Sequence, residues 1–277
     1  MKRILAFASV LAVLSAPAYA ADFVEPAPAP EAVEPLPTGG WYLRKDISYD
    51  FMSSDGVDYK AGRDNASFSD VDLDDTGNLG FGVGYQINDY FRVDKTFDYM
   101  FSTKFRGSTK GGGSNDGSAC DVKCVSTDAS SFKAFSLMAN AYVDIYRWGV
   151  FTPYVGAGLG TTYINWGDLK NTACAAGGGG CDDTVTHKGK DSWRFTYALM
   201  AGTSIDINCQ WKADVGYRYR HVDGGSMFGR KLNGGPGSDK GFDIHEVRSG
   251  IRYQFGDACP VAYMPPAELP AEQPVFK

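Results

Sequence analysis

Apolar and polar side chains alternate with period two along most of the chain. The last such stretch shows it best. His245, Val247, Ser249, Ile251, Tyr253 and Phe255 fall on one parity, and Glu246, Arg248, Gly250, Arg252 and Gln254 on the other. That period belongs to a strand with one apolar and one polar face. Trp41, Leu43, Ile47, Tyr49 and Phe51 likewise oppose Tyr42, Arg44, Asp46, Ser48 and Asp50. The pattern recurs over Leu79 to Ile87, Phe91 to Phe101, Phe135 to Ile145, Val155 to Tyr163, Trp193 to Ile205 and Trp211 to Tyr219. Eight strands are predicted, each long enough to cross a bilayer at a tilt, which takes about 9–11 residues.

The connections alternate in length. Short turns are expected at Asn88-Asp89, at Tyr146 to Val150 and at Asn208-Cys209, and long polar, Gly-rich loops at 53–77, 104–131, 167–192 and 223–241. Outer-membrane barrels combine short periplasmic turns with long external loops. The predicted fold is therefore all-β: a closed, antiparallel, up-and-down, eight-stranded transmembrane β-barrel over residues 39–256, with four long external loops and three short periplasmic turns. An even strand number leaves both tails in the periplasm.

Charge decides which face points inward. The polar parity carries Arg44, Arg92, Arg194, Lys212, Arg218, Arg220, Arg248 and Arg252 against Asp46, Asp50, Asp94, Asp98, Asp144, Asp206, Asp214 and Glu246. These eight positive and eight negative charges cancel. Enclosed, they can pair and satisfy one another, and an eight-stranded barrel is about as wide as side chains can fill. A plugged lumen with at most a narrow water path is expected. The competing reading is a soluble β-sandwich with one wet face. Aromatics support the membrane reading: Trp41, Phe91, Phe151, Trp211 and Phe255 fall near the periplasmic strand ends, and Phe101, Tyr163 and Trp193 near the external ends, as two interfacial belts require. Lys45 and Lys95 sit on the lipid-facing parity, where a mid-bilayer lysine costs about 2–4 kcal/mol. Snorkelling to the interface or a β-bulge that shifts the parity would each resolve this.

Composition adds the flanks and the compartment. The 277 residues are 43% hydrophobic and 14% aromatic, with 34 Gly. The net charge of −6 argues against a nucleic-acid partner. Lys2 and Arg3, the apolar run Ile4 to Leu14, and Ala18-Tyr19-Ala20 read as a secretory signal over residues 1–20. Its removal takes the charge from −6 to −8 by losing two bases. Residues 21–38, rich in Pro, Ala and Glu, read as a periplasmic linker, and the Pro-rich stretch 257–277 as a periplasmic tail. Export makes the six cysteines a disulfide framework rather than a zinc site, although His187 follows Cys181 closely. Topology pairs Cys120 with Cys124 and Cys174 with Cys181 within external loops, and Cys209 with Cys259 at the periplasmic face. No metal, cofactor or catalytic set is expected.

Gly40-Trp41-Tyr42-Leu43-Arg44, Leu137 to Asp144 (LMANAYVD), Phe151-Thr152-Pro153-Tyr154-Val155-Gly156-Ala157-Gly158 and His245 to Phe255 resemble the OmpA-like eight-stranded outer-membrane barrels, especially small surface proteins of alphaproteobacteria. The resemblance covers about residues 39–256. It implies that Arg248, Gly250, Tyr253 and Phe255 belong to a signal read by the barrel-assembly machinery, although Phe255 does not end the chain. It also suggests that the mature start, Ala21-Asp22, is a covalent tether to peptidoglycan, with 21–38 reaching across the periplasm; extended at about 3.1 Å per residue, that segment spans roughly 55 Å. The function implied is structural: an outer-membrane protein in contact with lipid and lipopolysaccharide that supports the envelope and displays loops to host or phage surface ligands. A narrow porin is the alternative. A lipopolysaccharide-modifying enzyme using His221, His245 and Ser249 is a third, disfavoured because His245 and Ser249 lie roughly 13 Å apart along a strand.

Overall fold

The computed structural model describes residues 39–111, 123–231 and 234–256. The expected signal, linker, tether (Ala21, Asp22) and tail, together with Cys120 and Cys259, lie outside the described residues. All described residues fall in one compact unit, Pro35–Lys277.

Eight long strands carry the architecture: β1 (Gly40–Ser54), β2 (Thr76–Gln86), β3 (Phe91–Ser108), β4 (Cys124–Asp144), β5 (Phe151–Trp166), β6 (Asp191–Asp206), β7 (Trp211–Phe228) and β8 (Gly234–Gln254). Each pairs antiparallel with its sequence neighbour, and β1 also pairs with β8 from Tyr42↔Gln254 to Ser54↔Phe242, so the sheet forms a ring through eight strands. A ring leaves no barrel strand with an unpaired edge along its transverse course.

Two of the short turns use one device. Asn88 Oδ1 accepts hydrogen bonds from the backbone N–H of Tyr90 and Phe91, and Asn208 Oδ1 from those of Gln210 and Trp211. In each, the preceding isoleucine N–H bonds the carbonyl of the aromatic that starts the next strand, Ile87 to Phe91 and Ile207 to Trp211. This is the local side-chain mimicry that makes asparagine a turn residue. The third turn closes through a Trp148–Phe151 bridge with Gly149 at φ 60°.

The long connections differ from expectation. Much of 53–77, 104–131, 167–192 and 223–241 is sheet, not loop. β3 runs on to Ser108, β4 begins at Cys124, and β7 and β8 meet beyond residue 223. Short strands at Val57–Ala61, Asp70–Leu73, Lys110–Gly111 and Leu169–Ala175 add to β8, β3, β4 and β4 respectively. The sequence pattern hid this because the sense of amphipathicity inverts along the strands. In the half near the short turns, apolar residues point out and polar ones in. In the half near the long connections, Phe132, Ala134, Ile164, Trp166, Val222, Phe242 and Ile244 point in and are buried, forming an apolar core with Phe105, Met227 and Phe228. Lys133, Asn165 and Asp191 form a single cross-strand row on the outer wall there. The same period-two alternation runs through both halves, with the opposite face inward in each.

Two local irregularities keep the pleat in step. Between Met100 and Thr103 the β3–β4 register shifts, so Phe101 and Ser102 both face outward. On β8, Gly241 adopts φ 124°, and the inward parity passes from Asp239 to Phe242 across it.

Candidate functional site

The chemistry-bearing residues converge inside the ring, in the half near the short turns. Inward residues of eight strands face one another across a narrow interior, and the bulky ones are accommodated by glycines on the adjacent strand. Tyr42 pairs in register with Gly84, and Tyr142 with Gly156. A Cβ on Gly84 would lie 2.3 Å from the Tyr42 ring, and one on Gly156 2.6 Å from the Tyr142 ring. The inward glycines of β2 and β5 thus provide space for side chains that the other strands supply.

Within that space the predicted charged residues meet in linked groups. Nearest the short turns, the Arg92 guanidinium lies between the rings of Tyr142 and Tyr154, 4.3 and 4.4 Å from their centroids, and pairs with Asp144 at 3.1 Å. Arg252 donates to Ser204 at 2.5 Å, meets Asp214 at 3.4 Å and covers the Tyr42 ring. One step up, Arg44 grips Asp46 through two 2.8 Å bonds and donates to Asp94, also at 2.8 Å, and to the Tyr142 hydroxyl at 2.9 Å. Asp94 also accepts from Asn140 and from the Tyr42 hydroxyl, and Asp46 is met by Arg248 at 3.3 Å. Higher still, Arg218 bridges Asp98 and Glu246, at 2.9 and 2.7 Å. Arg220 meets Glu246 at 2.8 Å and Asp50 at 3.5 Å, ion-pair contacts in which the N–H directions miss the carboxylate oxygens, and donates to Ser136 at 2.9 Å. Arg218, Glu246 and Asp50 have no measurable exposure.

Three predicted members, Lys212, Asp206 and Arg194, stand apart. Lys212 pairs with Asp206 at the short-turn rim, where Arg147 reaches the same carboxylate. Arg194 lies in the other half and donates to Asp239 at 2.5 Å, with further bonds to Ser192 and to the Ser226 carbonyl. Asp239 escaped the sequence reading because it stands within a stretch taken as loop, past the parity change at Gly241. Tyr42, Tyr142 and Tyr154 were equally missed as members of the network. Their signal was present: all three stand on the polar parity of their strands.

Above this network the interior is largely apolar around the Arg194–Asp239 pair. Phe132 stacks on Phe242 with centroids 5.3 Å apart and an interplanar angle of 12°, and Trp166 packs on Phe132 at 4.5 Å. The interior is filled at two levels, ionic and aromatic, while the outer wall of the ionic half carries exposed Leu43, Ile47, Phe81, Val83, Leu199, Val247 and others. A wall of exposed aliphatic and aromatic side chains around a charged interior is the arrangement a lipid solvent selects.

Comparison with known proteins agrees. The family model described as outer membrane protein beta-barrel domain matches residues 6–255. The chain belongs to that family. An uncharacterised protein of Brucella abortus strain 2308 is 36% identical over 271 residues, covering 86% of this chain and 93% of its own, and one of Brucella suis biovar 1 is 37% identical over 270 residues with the same coverage. Among solved structures, the outer membrane protein OprG from Pseudomonas aeruginosa is similar with a TM-score of 0.47 and 17% identity, covering 78% of this chain and 97% of that one.

In this outer-membrane barrel the remaining predicted residues fall as follows. Cys174 and Cys181 form a disulfide; Cys124 and Cys209 are also disulfide-bonded, while the predicted partners Cys120 and Cys259 lie outside the described residues. Tyr253 packs against Trp211 and Phe255, and a Cβ on Gly250 would strike the Asp46 carboxylate at 2.3 Å. That gives the glycine a packing reason of its own. Lys45 and Lys95 are exposed on the outer wall, and their neighbours Arg44, Asp46, Asp94 and Thr96 are buried in unbroken register, which rules out a bulge at either lysine. The Lys45 ammonium lies over the Phe81 ring at 5.6 Å. His221 and His245 engage in separate hydrogen bonds, to Asp243 and Tyr217. Among the described residues Ser249 hydrogen-bonds to neither imidazole.

Proposed function

We propose that this outer-membrane barrel is a sealed structural and surface-display protein. It spans the bilayer with its ionic half, keeps its three short turns and both tails in the periplasm, and raises the sheet-extended half above the outer leaflet. The observation that carries the reading is the doubly filled interior: a balanced ion network below and a packed aromatic core above it, which together oppose a continuous water path. The row Phe135, Tyr163 and Trp193, with centroid spacings of 5.1 and 5.2 Å, lies directly below the row Lys133, Asn165 and Asp191 on the outer wall. An aromatic row beneath a polar row supports an external interface at that level. Display is also favoured by a relative named as a candidate adhesin in Rickettsia conorii, 26% identical over 228 residues, covering 78% of this chain and 82% of its own.

The narrow-porin reading is the one to exclude by experiment. Purified protein in planar bilayers is expected to give no long-lived open steps, and stable, large conductance steps would overturn the sealed-barrel reading. Contacts with lipopolysaccharide, with the assembly machinery and with host or phage ligands belong to the same proposal, as does the peptidoglycan tether through Ala21 and Asp22.

A further inference from the structure

On the outer wall of the barrel, where the strands leave the aromatic belt, acidic and imidazole side chains converge around a glycine. Ser53, Asp243, His221 and Tyr197 form one outward cross-strand row over β1, β8, β7 and β6. The next row up holds Asp223 opposite Gly241, with the Asp55 N–H bonded to the Gly241 carbonyl at 3.1 Å. Gly241 has no side chain to separate its neighbours, and a Cβ there would come within 3.2 Å of Asp55 Oδ2. The result is a cup with Asp55 and Asp223 on either side and Asp243 and His221 below.

We propose that this cup binds one divalent transition-metal ion, with Asp55, His221 and Asp243 as ligands and Asp223 beside them. The donor atoms of Asp55, His221 and Asp243 all lie within 4.8 Å of one another. Two donors each about 2.2 Å from a common ion are separated by at most about 4.4 Å, so small side-chain rotations complete the set, and Asp55 is its exposed member. His221 already presents Nδ1 to Asp243 at 2.8 Å and Nε2 to Asp223 at 3.6 Å. Asp243 is oriented by the Tyr219 hydroxyl, which donates to it at 2.6 Å, and the His221 ring packs on Tyr197 at 5.1 Å. Supporting groups of this kind fix ligand orientation in metal sites.

Charge favours a cation. Three carboxylates face one imidazole, and among the described residues no lysine or arginine forms an ion pair with Asp55, Asp223 or Asp243; Lys240, on the same strand as Asp243, is paired with Asp58 at 3.3 Å. A mixed nitrogen and carboxylate set suits zinc or manganese, whereas calcium and magnesium take oxygen ligands.

Zinc alone is the probe. The full mature chain, refolded in detergent with disulfides intact and checked for heat-modifiable gel migration, is stripped with chelator and titrated with zinc chloride by calorimetry. One zinc per chain is expected. His221→Ala and the exposed Asp55→Asn should each weaken binding by about tenfold or more, and Tyr219→Phe by about tenfold. The double variant His187→Ala with His245→Ala should bind as the wild type does. Absence of saturable zinc binding, binding unchanged in folded His221→Ala, or equal loss in the His187→Ala and His245→Ala double variant would each overturn the proposal.

Discussion

Buried charges in this barrel differ in how they depend on their partners. Arg218 and Glu246 belong to a web in which each carboxylate has more than one cation in reach, so no single deletion isolates a pair. Arg194 and Asp239 are simpler: one ion pair at 2.5 Å, with side chains 1% and 0% exposed. Breaking such a pair leaves an uncompensated buried charge, at a cost of about 3–5 kcal/mol, whereas replacing both partners with apolar groups is often neutral. Asp239→Leu is therefore expected to destabilise the folded barrel by about that amount, and the double variant Arg194→Met with Asp239→Leu to recover most of it. Urea unfolding of the lipid-reconstituted protein, followed by tryptophan fluorescence, measures both. Equal destabilisation by the single and double changes would show that the loss is one of packing. Asp239 was invisible in the sequence as a partner because the local pattern around it resembles a polar loop, and nothing along the chain announces that a glycine at position 241 reverses which side points in.

Strand pairing explains the glycines. They are concentrated on the inward parity of β2 and β5, although glycine in a strand interior ordinarily weakens the strand. In the ring Gly82 lies opposite Arg44, Gly84 opposite Tyr42 and Gly156 opposite Tyr142, and the interior is full without them. Adding a side chain at Gly156 would drive it into the Tyr142 ring and the Ala141 carbonyl, at 2.6 and 2.9 Å. Overpacking of this kind costs about 1–3 kcal/mol and more where backbone is struck. Gly156→Val should lower the folded fraction after refolding into detergent, seen as loss of the heat-modifiable band, and Tyr142→Ala in the same chain should restore part of it. No rescue would mean that the glycine serves the backbone rather than the ring. The β-period, the turn asparagines at 88 and 208 and the two aromatic rows were legible along the chain, since each depends on residues close in sequence or on a fixed parity. The extension of β3, β4, β7 and β8 was not. Under the proposed placement the upper half meets water on its outer wall and must supply its core from the inner wall, so the same alternation continues with opposite meaning.

Taken together, the molecule is two amphipathic cylinders of opposite sense joined end to end, and this bears on its place in the envelope. An ionic interior suits the segment enclosed by lipid, where the outer wall must be apolar; an apolar interior suits the segment surrounded by water. If the mature start is tethered, lysozyme digests of purified cell walls should release muropeptides linked to Ala21, detectable by mass spectrometry. Their absence would leave the barrel as a free outer-membrane protein without changing the sealed-lumen reading, which rests on residues 39–256 alone.

The amino-acid sequence by itself determined the strand period, the number of barrel strands, the inward parity of the charges and the family. The first three follow from local alternation and from the ordered spacing of turns, and the family from the resemblance carried by segments such as Phe151 to Gly158 and His245 to Phe255. The tertiary structure decided which carboxylate each arginine meets, where the interior changes from ionic to aromatic, and which acidic and imidazole groups gather around Gly241. Those outcomes depend on cross-strand register between segments as distant in sequence as Tyr42 and Gln254, and register is settled only when the ring of strands forms.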